Sequence, residues 1–330
     1  MQALMRPELA GIDVATMRGL EIGPLASPRV RKSEGPIRYL DHAGATELKQ
    51  KYESDLGMRG RLDEIVDVDY VIGDKQTIAD AVIADAPFDY VLASHVLEHI
   101  PDPIGWMDDI ARILRPGGIL SLVIPDKRYC FDINRSLTRI SDLVDANMRH
   151  LRQPSYSQVY DFNANALLDL VDAHAVWRGD ADYSTATRQG VGDPDVYALE
   201  ACKRMQTSDA FVDVHCNVFT PDSFLDVFGK LARLGLTNFE VADFSPTAHD
   251  ALEFYVSLRL IDATVSGDGL LQRQLASVGR ARSLAQTRDP RHAPKPSGLV
   301  LIEVSGLEQR LLTAKRSTIA GMRRLLQRIR

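Results

Sequence analysis

Cysteine is scarce in this chain, and paired cysteine is absent. Cys130, Cys202 and Cys216 are the only three in 330 residues, and their spacing is not that of a zinc or redox site, so they read as buried thiols. His174, His215 and His249 also lack partners at a metal-ligand spacing along the chain, and no metal is expected. No apolar run approaches the roughly 18 residues that a membrane span needs. Arg6, Glu8 and Asp13 near the start, among few apolar residues, do not read as a signal peptide, so the cytoplasm is the expected compartment. A G-x-G-x-x-G turn is missing after the first strand-like segment, which argues against a dinucleotide enzyme. No repeat, low-complexity segment or nucleic-acid-binding module is present. The net charge of -6 hides an asymmetry, because residues 261–330 carry 13 basic and 5 acidic residues while the rest carries 26 and 40. An acidic body of this kind disfavours binding to a phosphate backbone.

What is present is an ordinary globular composition, 45% hydrophobic and 25% charged, in a chain long enough to bury a large core. Its most informative stretch is 88–126. Phe88 to Ala93 is apolar without alternation, as in a strand covered on both faces of a parallel sheet. Ser94 to His99 then leaves its carboxyl end, where open α/β sheets hold ligands. Asp102 is an expected N-cap with Pro103 at the first helical position, and Ile104, Met107, Ala111 and Leu114 follow on one face. Pro116-Gly117-Gly118 is expected to stop that helix. Ile119 to Ile124 makes the next buried strand, and Pro125-Asp126 emerges at the same edge as Ser94.

In these residues the chain resembles the class I S-adenosylmethionine (SAM) dependent methyltransferases, in the branch with a Leu-Glu-His segment and an Arg-Pro-Gly-Gly turn. Leu20-Glu21-Ile22-Gly23-Pro24 resembles the first-strand motif, Tyr39-Leu40-Asp41 the acidic end of the second strand and Val68-Asp69-Tyr70 the third. Phe219 to Phe224 resembles the start of the helix before the last hairpin. The resemblance implies an α/β, Rossmann-like, seven-stranded and mostly parallel sheet with helices on both faces. It also implies an antiparallel seventh strand, a helical insertion before the last hairpin and SAM as cofactor. Expected cofactor contacts are Glu21 to the methionine ammonium, Gly23 where backbone approaches the ligand, Asp41 to the ribose hydroxyls, Ser94, and Asp69 at the adenine, with Asp74 as the alternative to Asp69. The chain departs from the family in Pro24-Leu25-Ala26-Ser27-Pro28, where two further glycines are usual.

Methyl transfer from a sulfonium is an in-line displacement, so alignment and exclusion of water supply most of the acceleration. A hydroxyl acceptor also benefits from a general base. His95 is the first choice, with His99 four residues on and Asp126 as further possibilities; packing, bracing or turn roles are the alternatives for each. The resulting organisation is a SAM-binding core over 1–129, a helical insertion or lid over 130–214, the rest of the core over 215–262, and a basic extension over 263–330. The insertion holds Tyr156, Tyr160, Phe162, Trp177 and Tyr183. In the extension a proline-rich linker ending at Pro296 precedes an amphipathic helix from Leu307 to Arg330, suited to docking, self-association or peripheral contact with an anionic membrane. Two functions follow. One is methylation of a small-molecule hydroxyl, on a sugar or glycan intermediate by resemblance of the Val-Ile-Pro-Asp-Lys-Arg-Tyr segment. The other is an inactive methyltransferase-like scaffold recruiting partners through its basic extension.

Overall fold

A computed structural model describes residues 6–288, other than 54, 56, 57, 59, 74, 75, 168–172, 182–191 and 209. The prolines at 290–296, the stretch 307–330, Tyr183 and Asp74 lie outside the described residues. The strands are β1 Gly19–Ile22, β2 Ile37–Asp41, β3 Tyr70–Val71, β4 Phe88–Ser94, β5 Leu114–Pro125, β6 Phe239–Ser245 and β7 Glu253–Leu260. They form one seven-stranded sheet in the order β3-β2-β1-β4-β5-β7-β6. The first five strands are parallel, and β7 runs antiparallel to both its neighbours. This is the expected mostly parallel, Rossmann-like sheet.

The apolar run Tyr90–Ala93 of β4 is explained by burial on two faces. Val91 and Ala93 join the larger core cluster, while Tyr90 and Leu92 join a smaller one with Val30, Ile37 and Tyr39, since successive strand residues point to opposite faces. The larger cluster carries Phe224, Phe228, Phe244 and Phe254, the last three fully buried. Each such side chain contributes about 1.5–3 kcal/mol of burial.

The helices are α1 Ala45–Lys51, α2 Ile78–Val82, α3 Pro103–Ile113, α4 Ile140–Met148, α5 Tyr156–Asn165, α6 Ala173–Arg178, α7 Pro194–Gln206, α8 Pro221–Arg233 and α9 Gly267–Arg288. Asp102 caps α3, accepting from the Gly105 N–H at 3.0 Å, and Thr220 caps α8. The Pro-Gly-Gly turn does not terminate α3. The helix ends at Ile113, ahead of the pre-proline residue that disfavours helical backbone, and the turn lies inside β5 as an irregularity where Leu114 and Ile119 face Phe88 and Tyr90. Arg115 is held there by Asp89 of β4.

In the insertion α5 packs on α7 around Val159, Phe162, Ala166 and Ala201. Trp177 stacks on Tyr129 at 4.2 Å and donates to the Ala251 carbonyl at 2.9 Å, fastening α6 to the last hairpin.

The expectation of a linker directly after β7 is corrected. α9 spans 22 residues and packs on α8 and β6. Gln274 donates to the Thr237 and Phe239 carbonyls at 2.8 and 3.0 Å, and Ser277 accepts from the Val241 N–H at 3.0 Å.

Candidate active site

The carboxyl ends of β1, β2 and β4 lie side by side, with Ile22 opposite both Leu40 and Ala93. Gly23 follows β1 with φ of +65°, a left-handed backbone that favours glycine. Asp41 closes β2, is only 6% exposed, and has one carboxylate oxygen engaged by the N–H and Nδ1 of His42 at 2.7 and 2.6 Å. Ser94 closes β4. These three stand at the edge where the sequence reading puts them.

Glu21 has another task. Its buried carboxylate accepts from the backbone N–H groups of Arg29 and Val30 at 2.6 and 3.1 Å, folding the Pro24–Pro28 loop back onto β1. Burial pushes its carboxyl up to about 7, against the lowering effect of those two N–H groups. Each Glu21 oxygen thus accepts one N–H of the loop, and its remaining lone pairs are what the expected contact with a methionine ammonium would use. The loop delivers the Arg29 guanidinium across the edge, with Nε 3.0 Å from Ser94 Oγ and Nη2 3.4 Å from Glu253 Oε1.

Glu253 arrives because β7 is antiparallel and begins where the parallel strands end, opposite Pro125. Its Oε2 lies 2.6 Å from His95 Nε2, and its Oε1 accepts from Tyr255 Oη at 2.7 Å. His95 itself has φ of +54°, a conformation that persists where surrounding contacts fix it; Glu98 Oε1 stands 3.4 Å from its Nδ1. Burial disfavours the charged imidazole, yet the contacts with Glu253 and Glu98 outweigh it and raise His95 to about 9. Burial likewise works against the Glu253 carboxylate, and His95 overrides it, lowering Glu253 to about 2. At neutral pH this is an imidazolium–carboxylate pair.

His99 has other partners than His95. The turn is a short 3-10 helix, Leu97–His99, and His99 Nδ1 meets Asp213 Oδ1 at 2.8 Å while its ring lies edge-on to His215 at 4.6 Å. Asp126 is corrected as a base. It is fully buried and accepts from Thr247 Oγ1 at 2.7 Å and from Arg128 Nε and Nη2 at 3.0 and 2.5 Å, so it has no oxygen directed at an acceptor. Asp69 is also corrected. It precedes β3 instead of ending it, and its carboxylate holds the Tyr39 N–H at 2.8 Å, Lys32 at 2.9 Å and Arg38 at 3.1 Å.

Arg29, Glu253, Tyr255 and Asp213 were not singled out from sequence. Only Glu253 carried a signal: the first residue of an antiparallel last strand must fall at the carboxyl edge of its parallel neighbours. A nucleotide's ribose and a sulfonium-bearing tail fit the end that Gly23, Asp41 and Ser94 form, where a glycine lets backbone approach and a buried carboxylate can accept hydroxyl protons.

The chain is similar to the ubiquinone biosynthesis O-methyltransferase of Xylella fastidiosa strain 9a5c, at 36% identity over 106 residues covering 32% of this chain and 38% of that protein. It thus spans well under half the length of the curated relatives it matches. Among solved structures it is similar to a SAM-dependent methyltransferase from Methanosarcina mazei, at 13% identity and TM-score 0.35, covering 78% of this chain and 98% of the other. It is also similar to the magnesium protoporphyrin IX methyltransferase of Synechocystis PCC 6803, at 8% identity and TM-score 0.31, covering 75% and 76%. The family model described as a methyltransferase domain matches residues 6–170, half of the chain, and this chain belongs to that family of SAM-dependent methyltransferases.

Proposed function

We propose that the enzyme methylates a hydroxyl of a small-molecule acceptor, with a sugar or glycan intermediate as the acceptor class. The observation that carries the hydroxyl reading is the His95–Glu253 pair, joined at 2.6 Å beside the ends of β1, β2 and β4. SAM supplies an electrophilic sulfonium methyl. Gly23, Asp41 and Ser94 hold and orient it; Arg29 spans Ser94 and Glu253 and ties the cofactor edge to the pair. The acceptor's proton passes to the His95–Glu253 pair. Nε2 of His95 is held by Glu253 at 2.6 Å, so the proton is taken at Nδ1, 3.4 Å from Glu98. Because the imidazole is charged at neutral pH, this follows loss of its own proton there, so transfer rises as pH approaches about 9.

Acceptor binding falls to the insertion, whose segment before β6 brings Asp213 against His99 and Lys51, at 2.8 and 3.5 Å. A cavity of about 270 Å³ there is lined by Phe162, Ala201, Arg204, Met205, Phe211 and Asp213. The sugar reading is supported by the Pro24–Pro28 loop and the Val123–Tyr129 segment, which resemble those of methyltransferases encoded with glycan-assembly enzymes. The O-methyltransferase relative supports oxygen as the atom methylated.

A second reading, a non-catalytic scaffold, is favoured by one observation: both Glu21 oxygens accept N–H groups of the loop. Calorimetry with SAM and S-adenosylhomocysteine, with NAD as control, separates the two. Saturable micromolar binding of both ligands leads to acceptor screening with sugars against phenols; no binding at millimolar concentration sinks the enzymatic reading.

A further inference from the structure

Glu98 is 1% exposed, and neither of its carboxylate oxygens has a partner at hydrogen-bonding geometry; His95 Nδ1 stands 3.4 Å from Oε1. A carboxylate buried in this way has room for a further, better placed cation. Its surroundings are built, not loose. The backbone N–H groups of Cys216 and Asn217 both donate to the Glu98 carbonyl, at 2.6 and 3.0 Å, and Asn217 Nδ2 donates to the Leu97 and Ile100 carbonyls at 3.2 and 2.7 Å. The turn after β4 and the segment returning from the insertion are thereby clamped together. The clamp brings His215 beside His99, although 116 positions separate them in the sequence. Glu98, His99 and His215 each present a ligand atom within 4.8 Å of the others.

Each imidazole has a carboxylate beside its Nδ1, hydrogen-bonded for His215 and at ion-pair distance for His99. Asp132 Oδ2 lies 2.6 Å from His215 Nδ1, and Asp213 Oδ1 lies 2.8 Å from His99 Nδ1. Asp132 is in turn held by the buried Arg135 at 2.8 Å. A carboxylate on one ring nitrogen fixes the tautomer and leaves the other nitrogen, Nε2, with the lone pair a metal uses; carboxylate–histidine–metal relays are built this way. Cys216 offers no further ligand, because its Sγ is turned to the His99 carbonyl at 3.5 Å.

We propose that Glu98, His99 and His215 form a divalent-cation site of the two-histidine, one-carboxylate type, selective for zinc-like transition metals. Imidazole nitrogens suit Zn²⁺, Fe²⁺ and Co²⁺, whereas Mg²⁺ and Ca²⁺ prefer all-oxygen sets. Three protein ligands leave a position for water or an incoming hydroxyl. Spacing along the chain hides the site, since only tertiary structure brings His215 to the Glu98-His99 pair.

The test is a Co²⁺ titration of the full chain after chelator dialysis, without SAM, read by the visible d–d bands and by metal content per chain. One equivalent is expected, displaced by Zn²⁺ but not by Mg²⁺. Glu98→Gln and His215→Gln should each weaken binding by about 100-fold or more, and Asp132→Asn, which acts through His215, by roughly 10–100-fold. His174→Gln, on an exposed histidine, and Cys216→Ser should keep the wild-type spectrum. Absence of stoichiometric uptake by the wild-type chain overturns the proposal even if a variant fails to fold. So does equal uptake by folded Glu98→Gln and His215→Gln, which would mean that surface groups hold the metal. Because no step involves SAM, failure here leaves the methyltransferase reading standing.

Discussion

The two halves of the sheet are built on different principles. β4, β5, β7 and β6 have 7, 12, 8 and 7 residues and rest on phenylalanine packing, with Phe254 near Phe224 and Phe244 at 6.0 and 6.1 Å. β1, β2 and β3 have 4, 5 and 2 residues, and their connections are pinned by carboxylates: Glu21 on the loop after β1, Asp69 on β2, Asp41 on His42. The apolar half holds the phenylalanine cluster of the core. The lightly built half exchanges apolar contact for polar groups at the ligand edge.

The sharpest way to break that comparison is Phe254→Ala. It should destabilise the chain by about 3–5 kcal/mol through a residual cavity, read as a lower urea midpoint, while SAM affinity of the remaining folded protein stays within about twofold. Equal losses in both would show that the halves are not separable. Asp41→Ala should do the reverse, weakening SAM binding by about 1.5–3 kcal/mol, the worth of charge-assisted hydrogen bonds, with little change in midpoint; calorimetry at 25 °C decides. Gly23→Ala meets a left-handed backbone at +65° and should cost about 1–2 kcal/mol, felt in SAM affinity more than in melting temperature.

The effects of pH are spread over several units. His95 is raised from 6.5 to about 9, so its pairing contributes stability that is fully present below pH 6.5 and lost as pH rises through about 9. Glu253 is lowered from 4.5 to about 2, so its contribution is present above pH 4.5 and lost as pH falls to about 2. Glu21, raised from 4.5 to about 7, adds a loss as pH rises between those values. Denaturant midpoints across pH should show the alkaline loss vanish in His95→Gln and the loss near neutrality vanish in Glu21→Gln.

The sheet was legible because its central strands carry short apolar runs without alternation, such as Tyr90–Ala93, and α3 has both an Asp cap and a proline at its first position. Gly23, Asp41 and Ser94 were legible for a related reason: each directly follows or ends a strand, so strand position alone carries it to the edge. Asp69 was misplaced because β3 has only two residues and begins one later than its apolar neighbours imply. The hold of Glu21 on its loop was not foreseen because nothing local reveals that its oxygens meet N–H groups eight and nine residues on. Arg29, Glu253 and Asp213 act through partners 65 to 224 positions away, a relation the sequence does not encode locally. α9 escaped notice because the face it buries consists of Gln274, Ser277, Val278, Ala281 and Ala285, which lacks the large apolar stripe by which amphipathic helices are found.

That polar face has a consequence for how the chain may be shortened. β6 is the last strand of the sheet, and its outer backbone groups are answered by Gln274 and Ser277. A chain ended at Asp262, where the sequence reading places the end of the core, would retain every strand and every residue of the ligand edge. It would also uncover a bare strand rim, the template on which copies of a protein add to one another. α9 covers that rim, and its removal should appear first as insolubility at high concentration.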